Sequence, residues 1–341
     1  MLNQTSLKTS MKTDSDLPYL RELNIALGVL APVWPAIIFL GLLSNTTNIL
    51  VFIKAGVRDS VTILLLSLSI SDMCFLILIT PTVSTNIIFH YKPRWVWALD
   101  HSITHNLLYW PAFTFYDYSS YISVFLGVTR CACVAMPLHF KSTFTKRRTV
   151  VGVVCLFCFA VLFHLPVLTI FSIGWRKDPV TNVSIPVAVV SGRQTMVKIN
   201  DLLNRNTLPW ISFITMIGCV ALLSFKLFQA SKIRSLPASG DKAAAKSDHD
   251  NKLSPKDVHV VQSVVLVCSI FIIAQLPALL YSTVRVVNPE FDQGGRLVKL
   301  FGVFFCISLT CSLLNATVNI FVYYNYNNKY RSAFRALLNL T

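Results

Sequence analysis

The chain has 341 residues, of which 54% are hydrophobic and 13% charged, about half the charged share (roughly 25%) of an ordinary soluble domain. That balance excludes water as its main solvent. Lys and Arg outnumber Asp and Glu by 30 to 15, but the basic residues fall between apolar runs rather than along one polar face. The excess therefore reads as a membrane-topology signal and not as a nucleic-acid surface.

In chain order, the residues through Asn24 are polar, carry Lys8, Lys12 and Arg21, and lack the apolar core of a secretory leader. The first span is expected to act as its own anchor. A helix needs about 20 mostly apolar residues to cross the hydrocarbon core. Runs of that kind lie at 26–53, 61–89, 105–135, 149–172, 203–229, 258–285 and 298–325. The predicted fold is an all-α membrane protein, a seven-transmembrane helix bundle with a tail at 1–25. The fifth run is charge-free only from Asn206 to Phe225, so Asp201 and Arg205 must sit at an interface or face other helices.

Orientation rests on the short loop 136–148, which holds Lys141, Lys146, Arg147 and Arg148 and no acid. The positive-inside rule places it in the cytoplasm. Seven spans then put the N-terminus and the loop 173–202 outside the plasma membrane, together with the glycosylation sequons at Asn3 and Asn182. The Ser-, Ala-, Lys- and Asp-rich stretch Ser231 to Pro255 reads as a flexible inner loop. All nine cysteines lie within or against apolar runs, with no accompanying His/Cys set of zinc spacing. They read as small packing groups, and no disulfide is expected.

Only two acids lie deep in the spans, Asp72 and Asp117, and an ionised group at that depth needs a partner or a function. Asn45, Ser119, Asn315 and Asn319 are equally deep. With Asp72 they form either one polar cluster around a cation, a sodium ion at Asp72, or a set of hydrogen bonds that glue helices together. No other metal and no other cofactor is expected. Asp117 has three candidate partners: a ligand, His164 of the fourth span, or a neighbouring hydroxyl.

Taken as a set, these residues resemble the rhodopsin-like receptor family. Asn45 looks like its first-helix Asn, Asp72 its second-helix Asp, and Arg130 in Thr129-Arg130-Cys131 its Arg at the inner end of the third helix. Phe271 and Pro277 match the sixth-helix aromatic and kink proline, and Asn319-Ile320-Phe321-Val322-Tyr323 is similar to the seventh-helix motif. Tyr330-Arg331-Ser332-Ala333-Phe334 resembles the amphipathic helix that follows, which the resemblance places in the cytoplasm within 326–341. Ala135-Met136-Pro137-Leu138 and the stretch Val318 to Asn325 look most like molluscan chemosensory or orphan peptide-type receptors.

The resemblance implies an extracellular ligand and a heterotrimeric G protein as partners, beside membrane lipid, and no enzymatic activity. By position the ligand would meet Phe113, Tyr116, Asp201, Arg205, Gln275, Ser282, Arg285 and Phe305. The basic mouth suits a carboxylate, or else its charges are solvated interface groups. Ala112 stands where amine receptors carry an acid, and Leu313 where opsins carry the retinal lysine. Coupling and activation would involve Arg130, Asp257, Phe271, Pro277 and Tyr323.

The chain also departs from the family. Thr129 replaces the usual acid before the Arg, so Arg130 needs another anchor; Asp257, twenty residues before Pro277, is either that partner or a solvated loop acid. Gln275 replaces the sixth-helix tryptophan, and Ile320 the seventh-helix proline. His105 stands where the family has the cysteine that staples the outer loop, so 173–202 is expected to be more mobile or held by other contacts. Two other functions remain: a receptor fold that does not signal, and a transporter or channel, which would need a polar path through the bundle.

Overall fold

The computed structural model describes residues 28–30, 32–57, 59–91, 101–135, 143–177, 182–190, 194–235, 255–292 and 295–338. Seven long helical segments dominate it. The first four are single helices, Val33–Ala55, Ser60–Tyr91, His101–Ala135 and Lys146–Leu168. The sixth is Pro255–Val287, and the seventh runs as Val298–Thr317 and then Asn319–Tyr326. Six are long and apolar enough to cross a membrane. The third is more polar because its central face is built from Thr114, Asp117, Ser119, Ser120 and Ser123, all buried.

Large apolar side chains such as Phe39, Leu43, Ile214, Ile273 and Phe321 are exposed around the bundle. In water they would form an aggregating surface, whereas in lipid they meet their own kind. Inside lie two apolar clusters. Leu68, Ile122, Leu126, Val264, Phe271 and Tyr323 belong to the one at the Arg130 end of the third helix. Trp34, Phe75, Ala112, Phe113, Tyr116 and Leu309 belong to the other. Along the second and third helices, Asp72 and Ser119 fall between the two.

Close approach of the first, second and seventh helices depends on Gly41. A Cβ there would lie 2.6 Å from both Leu76 Cδ1 and Thr317 Oγ1. The first helix ends at Gly56, whose φ of 80° is the left-handed region that glycine enters without steric cost, and its amide caps Ile53 O at 3.1 Å.

The fifth segment differs from its expected form. It begins at Gln194, not 203, and joins two α-helices, Gln194–Leu202 and Leu208–Ser235, through a π-helical turn at Leu203–Thr207. Pro209 has no N–H to offer the carbonyl of Arg205, so the ladder shifts its register just ahead of it. Asn206 Nδ2 and Thr207 Oγ1 bond the carbonyls of Asp201 and Leu202 at 3.0 and 2.9 Å.

The loop 173–202 is likewise not an open strand of chain. Phe171–Lys177 (β1) and Ser184–Val190 (β2) pair antiparallel, from Phe171 opposite Val190 to Lys177 opposite Ser184. Backbone pairing holds these two segments of the loop to each other.

The seventh segment breaks at Val318 without a proline. The amide of Phe321 reaches Val318 O at 3.1 Å, a tightened turn that re-aims Asn319. Beyond it, Asn328–Leu337 forms a short amphipathic helix capped by Asn327 Oδ1, which accepts from the Tyr330 amide at 3.1 Å.

Candidate functional site

The polar layer is centred on Asp72, which is 1% exposed. Its Oδ1 accepts from Ser119 Oγ at 2.6 Å and its Oδ2 from Asn319 Nδ2 at 2.8 Å. One buried carboxylate thus ties the second helix to the third and the seventh. The five residues expected as a single cluster divide. Asn45 turns to Gly41 O and Ala316 O, at 3.0 and 2.7 Å, and clasps the first helix to the seventh. Asn315 is buried but makes no bond to Asp72 among the described residues.

Of the three partners open to Asp117, the structure places His164. Nε2 lies 3.2 Å from Asp117 Oδ2, with both side chains buried. The two atoms stand at ion-pair distance without the alignment of a hydrogen bond. His164 Nδ1 is 3.0 Å from Ala160 O. A carbonyl can only accept, so in this contact Nδ1 is the donor and Nε2 is the nitrogen that faces Asp117.

Toward the hairpin end, Tyr116 Oη donates to Gln275 Oε1 at 2.8 Å and joins the third helix to the sixth. Phe113 packs against Tyr109, Tyr116 and Phe75 at ring separations of 4.4, 5.7 and 5.7 Å. Arg205, carried by the π-turn, lies over this aromatic face, 4.3 Å from the Phe113 centroid, 5.2 Å from Trp110 and 6.0 Å from Tyr109.

Arg285 bridges Asp201 and Asp292, both at 3.2 Å. Arg296 pairs with Glu290 at 3.6 Å and is 90% exposed, a solvated pair that belongs to the connecting loop. Ser282 is buried but bonds back to Ala278 O in its own helix. Phe305 sits 6.4 Å from the rings of both Tyr109 and Tyr281. Sequence reasoning did not name Tyr109, Trp110 or Asp292. Tyr109 was within reach, one helical turn before Phe113 on the same face, whereas Asp292 lies in a connection whose path no periodicity reveals.

At the other end, Thr129 Oγ1 donates to Leu126 O at 2.8 Å and so serves its own helix and not its neighbour Arg130, which is partly buried. The side chain of Asp257 lies outside the described residues, as does Asn3. Phe271 is buried in the apolar cluster there, and Pro277 sits inside the sixth helix. Tyr323 is fully buried, with Phe52 and Tyr330 at 5.4 and 5.7 Å. Tyr330 Oη donates to Asn48 Oδ1 at 2.6 Å and fastens the amphipathic helix to the first.

This arrangement is a seven-helix receptor bundle, and the family model of the seven-transmembrane receptors of the rhodopsin family matches residues 44–323. The chain belongs to that family; it is a receptor and not an enzyme. It is also similar to galanin receptor type 2 of Mus musculus, with 26% identity over 146 residues, 42% of this chain and 38% of that receptor. The alignment thus spans well under two thirds of the relative.

Proposed function

We propose that the chain sits in the plasma membrane with its N-terminus outside, binds an extracellular ligand at the hairpin end, and activates a heterotrimeric G protein at the Arg130 end. The observation that carries this reading is the third helix. Over His101–Ala135, about 50 Å at 1.5 Å per residue, it contributes Tyr109, Phe113 and Tyr116 to the aromatic crevice, Ser119 to the Asp72 layer, and Arg130 to the far end.

Ligand contacts that move Tyr116 or Gln275 would be felt at Asp72 through the same rigid element. Outward movement of the sixth helix beyond Pro277 would then open a groove beside Arg130 for a partner helix. The ligand is a chemosensory small molecule or a peptide. The latter gains support from the relative that is a galanin receptor.

A sodium ion fits the polar layer. Asp72 is bonded only to two neutral donors and meets no cation among the described residues. A buried carboxylate so placed is stabilised by a counter-ion, and the oxygens of Asp72 and Ser119 are the hard ligands such an ion takes.

The test is guanine-nucleotide exchange on a panel of purified G proteins with the full chain in nanodiscs. Exchange above that of empty nanodiscs supports coupling. No exchange with any G protein, with or without ligand libraries, would favour a receptor fold that does not signal, as Thr129, Gln275 and Ile320 allow.

A further inference from the structure

Among the described residues, Arg285 and Arg296 toward the hairpin end of the bundle each have a carboxylate partner. Arg285 holds Asp201 and Asp292, and Arg296 holds Glu290. Arg205 differs. No carboxylate among the described residues stands at ion-pair distance from it, and its Nη2, shut off from solvent, has no hydrogen-bond partner.

What Arg205 does have is an aromatic platform, with its guanidinium carbon 4.3 Å from the Phe113 centroid and 5.2 Å from that of Trp110. A ring attracts a cation through its π face. Ring faces do not replace the in-plane acceptors that the five N–H groups of a guanidinium seek. Leaving such a charged donor without an acceptor is costly, more so than for a neutral group. The backbone that carries Arg205 is also specialised, the π-turn Leu203–Thr207 ahead of Pro209. Turns of this kind are frequent at functional sites.

We infer that Arg205 is the anchor for a carboxylate of the ligand, with Tyr109, Trp110 and Phe113 forming the wall for the apolar body next to it. This rests on the reading of the crevice as the ligand site and names the chemical class it takes. A planar carboxylate accepts two parallel N–H bonds from the guanidinium edge. The field of Asp201 also reaches Arg205, so the site favours a monoanion over a more highly charged group. A dianionic phosphate would face Asp201, whose Oδ1 is also buried without a partner, and an ammonium ligand would be repelled by Arg205 itself. The carboxylate can belong to a small organic acid or to the C-terminus of a peptide.

The experiment uses the full-length chain in nanodiscs without G protein. The probes are 3-phenylpropanoate, indole-3-acetate and the capped tripeptide N-acetyl-Gly-Gly-Phe, each beside its neutral amide, with phenethylamine as the cationic control. Binding is read by the thermal unfolding midpoint and by saturation-transfer NMR.

At least one acid is expected to bind and to raise the midpoint, while its amide and the amine do not; the scaffold that binds tells organic acid from peptide. Arg205→Gln should weaken that acid about tenfold or more, about the loss of one charge-assisted pair. Arg205→Lys, which keeps the charge but not the fork, should fall between, and it serves if the Gln variant does not fold.

Equal binding of amides, unchanged acid binding in Arg205→Gln, or no binding by any acid of the set would overturn the inference. Nucleotide exchange is read separately. Acid binding without exchange defeats the signalling proposal alone, and exchange without acid selectivity defeats this one alone.

Discussion

The hydroxyl of Tyr116 donates to Oε1 of Gln275 over 2.8 Å, two residues before Pro277, and both side chains are buried. The position that the family fills with a large aromatic ring is here a polar clasp between the third and sixth helices. Tyr116→Phe takes from the Gln275 amide oxygen its donor, and Gln275→Leu takes from the Tyr116 hydroxyl the acceptor it donates to. Each single change should cost about 1–3 kcal/mol, while the double change, which removes both polar partners, should cost clearly less than the sum. Thermal unfolding of the four proteins gives the coupling directly. Basal nucleotide exchange should rise in both single variants if the clasp holds the sixth helix inward; an unchanged basal rate would separate the clasp from activation.

Gly41→Ala tests the closest helix contact. The added Cβ meets Leu76 Cδ1 and Thr317 Oγ1 at 2.6 Å, and Thr317 is also bonded to Leu313 O at 2.7 Å, so it does not yield easily. A loss of about 1–3 kcal/mol is expected for overpacking at such a site, seen as a lower unfolding midpoint and reduced surface expression. Gly218→Ala, where nothing lies within 4 Å of the new Cβ, should be silent in both assays.

Much of the bundle was legible because hydropathy reports the solvent that each segment meets. Long apolar runs and the deep Asp72 and Asp117 stand out from their surroundings without any knowledge of packing. The hairpin was not legible. Phe171 and Ser172 continue the apolar end of the fourth run, and Val187 to Val190 offers four apolar residues in a row, so neither strand shows a clear alternation. The π-turn was hidden for a related reason: Pro209 announces a disturbed ladder but not which carbonyls absorb it. At the site, Asp117 with His164 and Asp72 with Ser119 were named from depth alone. The separation of Asn45 from that layer, and the seating of Arg205 on Phe113, depend on helix rotation, which is a tertiary property.

Asp72→Asn probes the proposed cation. In the wild-type protein, exchange of choline for sodium chloride at constant ionic strength should raise the unfolding midpoint, since a ligand of the folded state alone stabilises it by mass action. The Asn side chain keeps one acceptor but no charge, so the sodium effect should disappear while the fold persists. An equal response to both salts in the wild type would remove sodium from the account.

Orientation is open to a chemical label. Asn182 is exposed, and its φ of 55° is a conformation that Asn tolerates. If the hairpin end faces the lumen during synthesis, the chain should carry an N-glycan there, and Asn182→Gln should remove one glycosidase-sensitive band shift on a gel. Retention of every glycoform in a variant that lacks both Asn182 and Asn3 would contradict the proposed topology.

At the opposite end, Asp59 gives a pH dependence whose sign follows from its contacts. Partial burial pushes its carboxyl up, but bonds from the Thr62 amide and hydroxyl and the Lys329 ammonium outweigh this and hold it below the usual carboxylate value. The Thr62 amide is 2.9 Å from Oδ1, which makes Asp59 the cap of the second helix, and Lys329 Nζ is 3.4 Å from Oδ2. A carboxylate depressed in the folded state contributes stability that is present above its unfolded pKa, about 4, and is lost as pH falls through the lower folded value. Asn is as good a cap as Asp, so Asp59→Asn isolates the charge. Lys329 is largely exposed, which limits the difference to under about 1 kcal/mol. The gap between the unfolding midpoints of wild type and Asp59→Asn should therefore be constant from pH 7 to about pH 5 and close below about pH 4. Lys329→Gln should show a smaller gap with the same acid limit, and a gap that widened in acid would reverse the assignment of Asp59 as the charged partner.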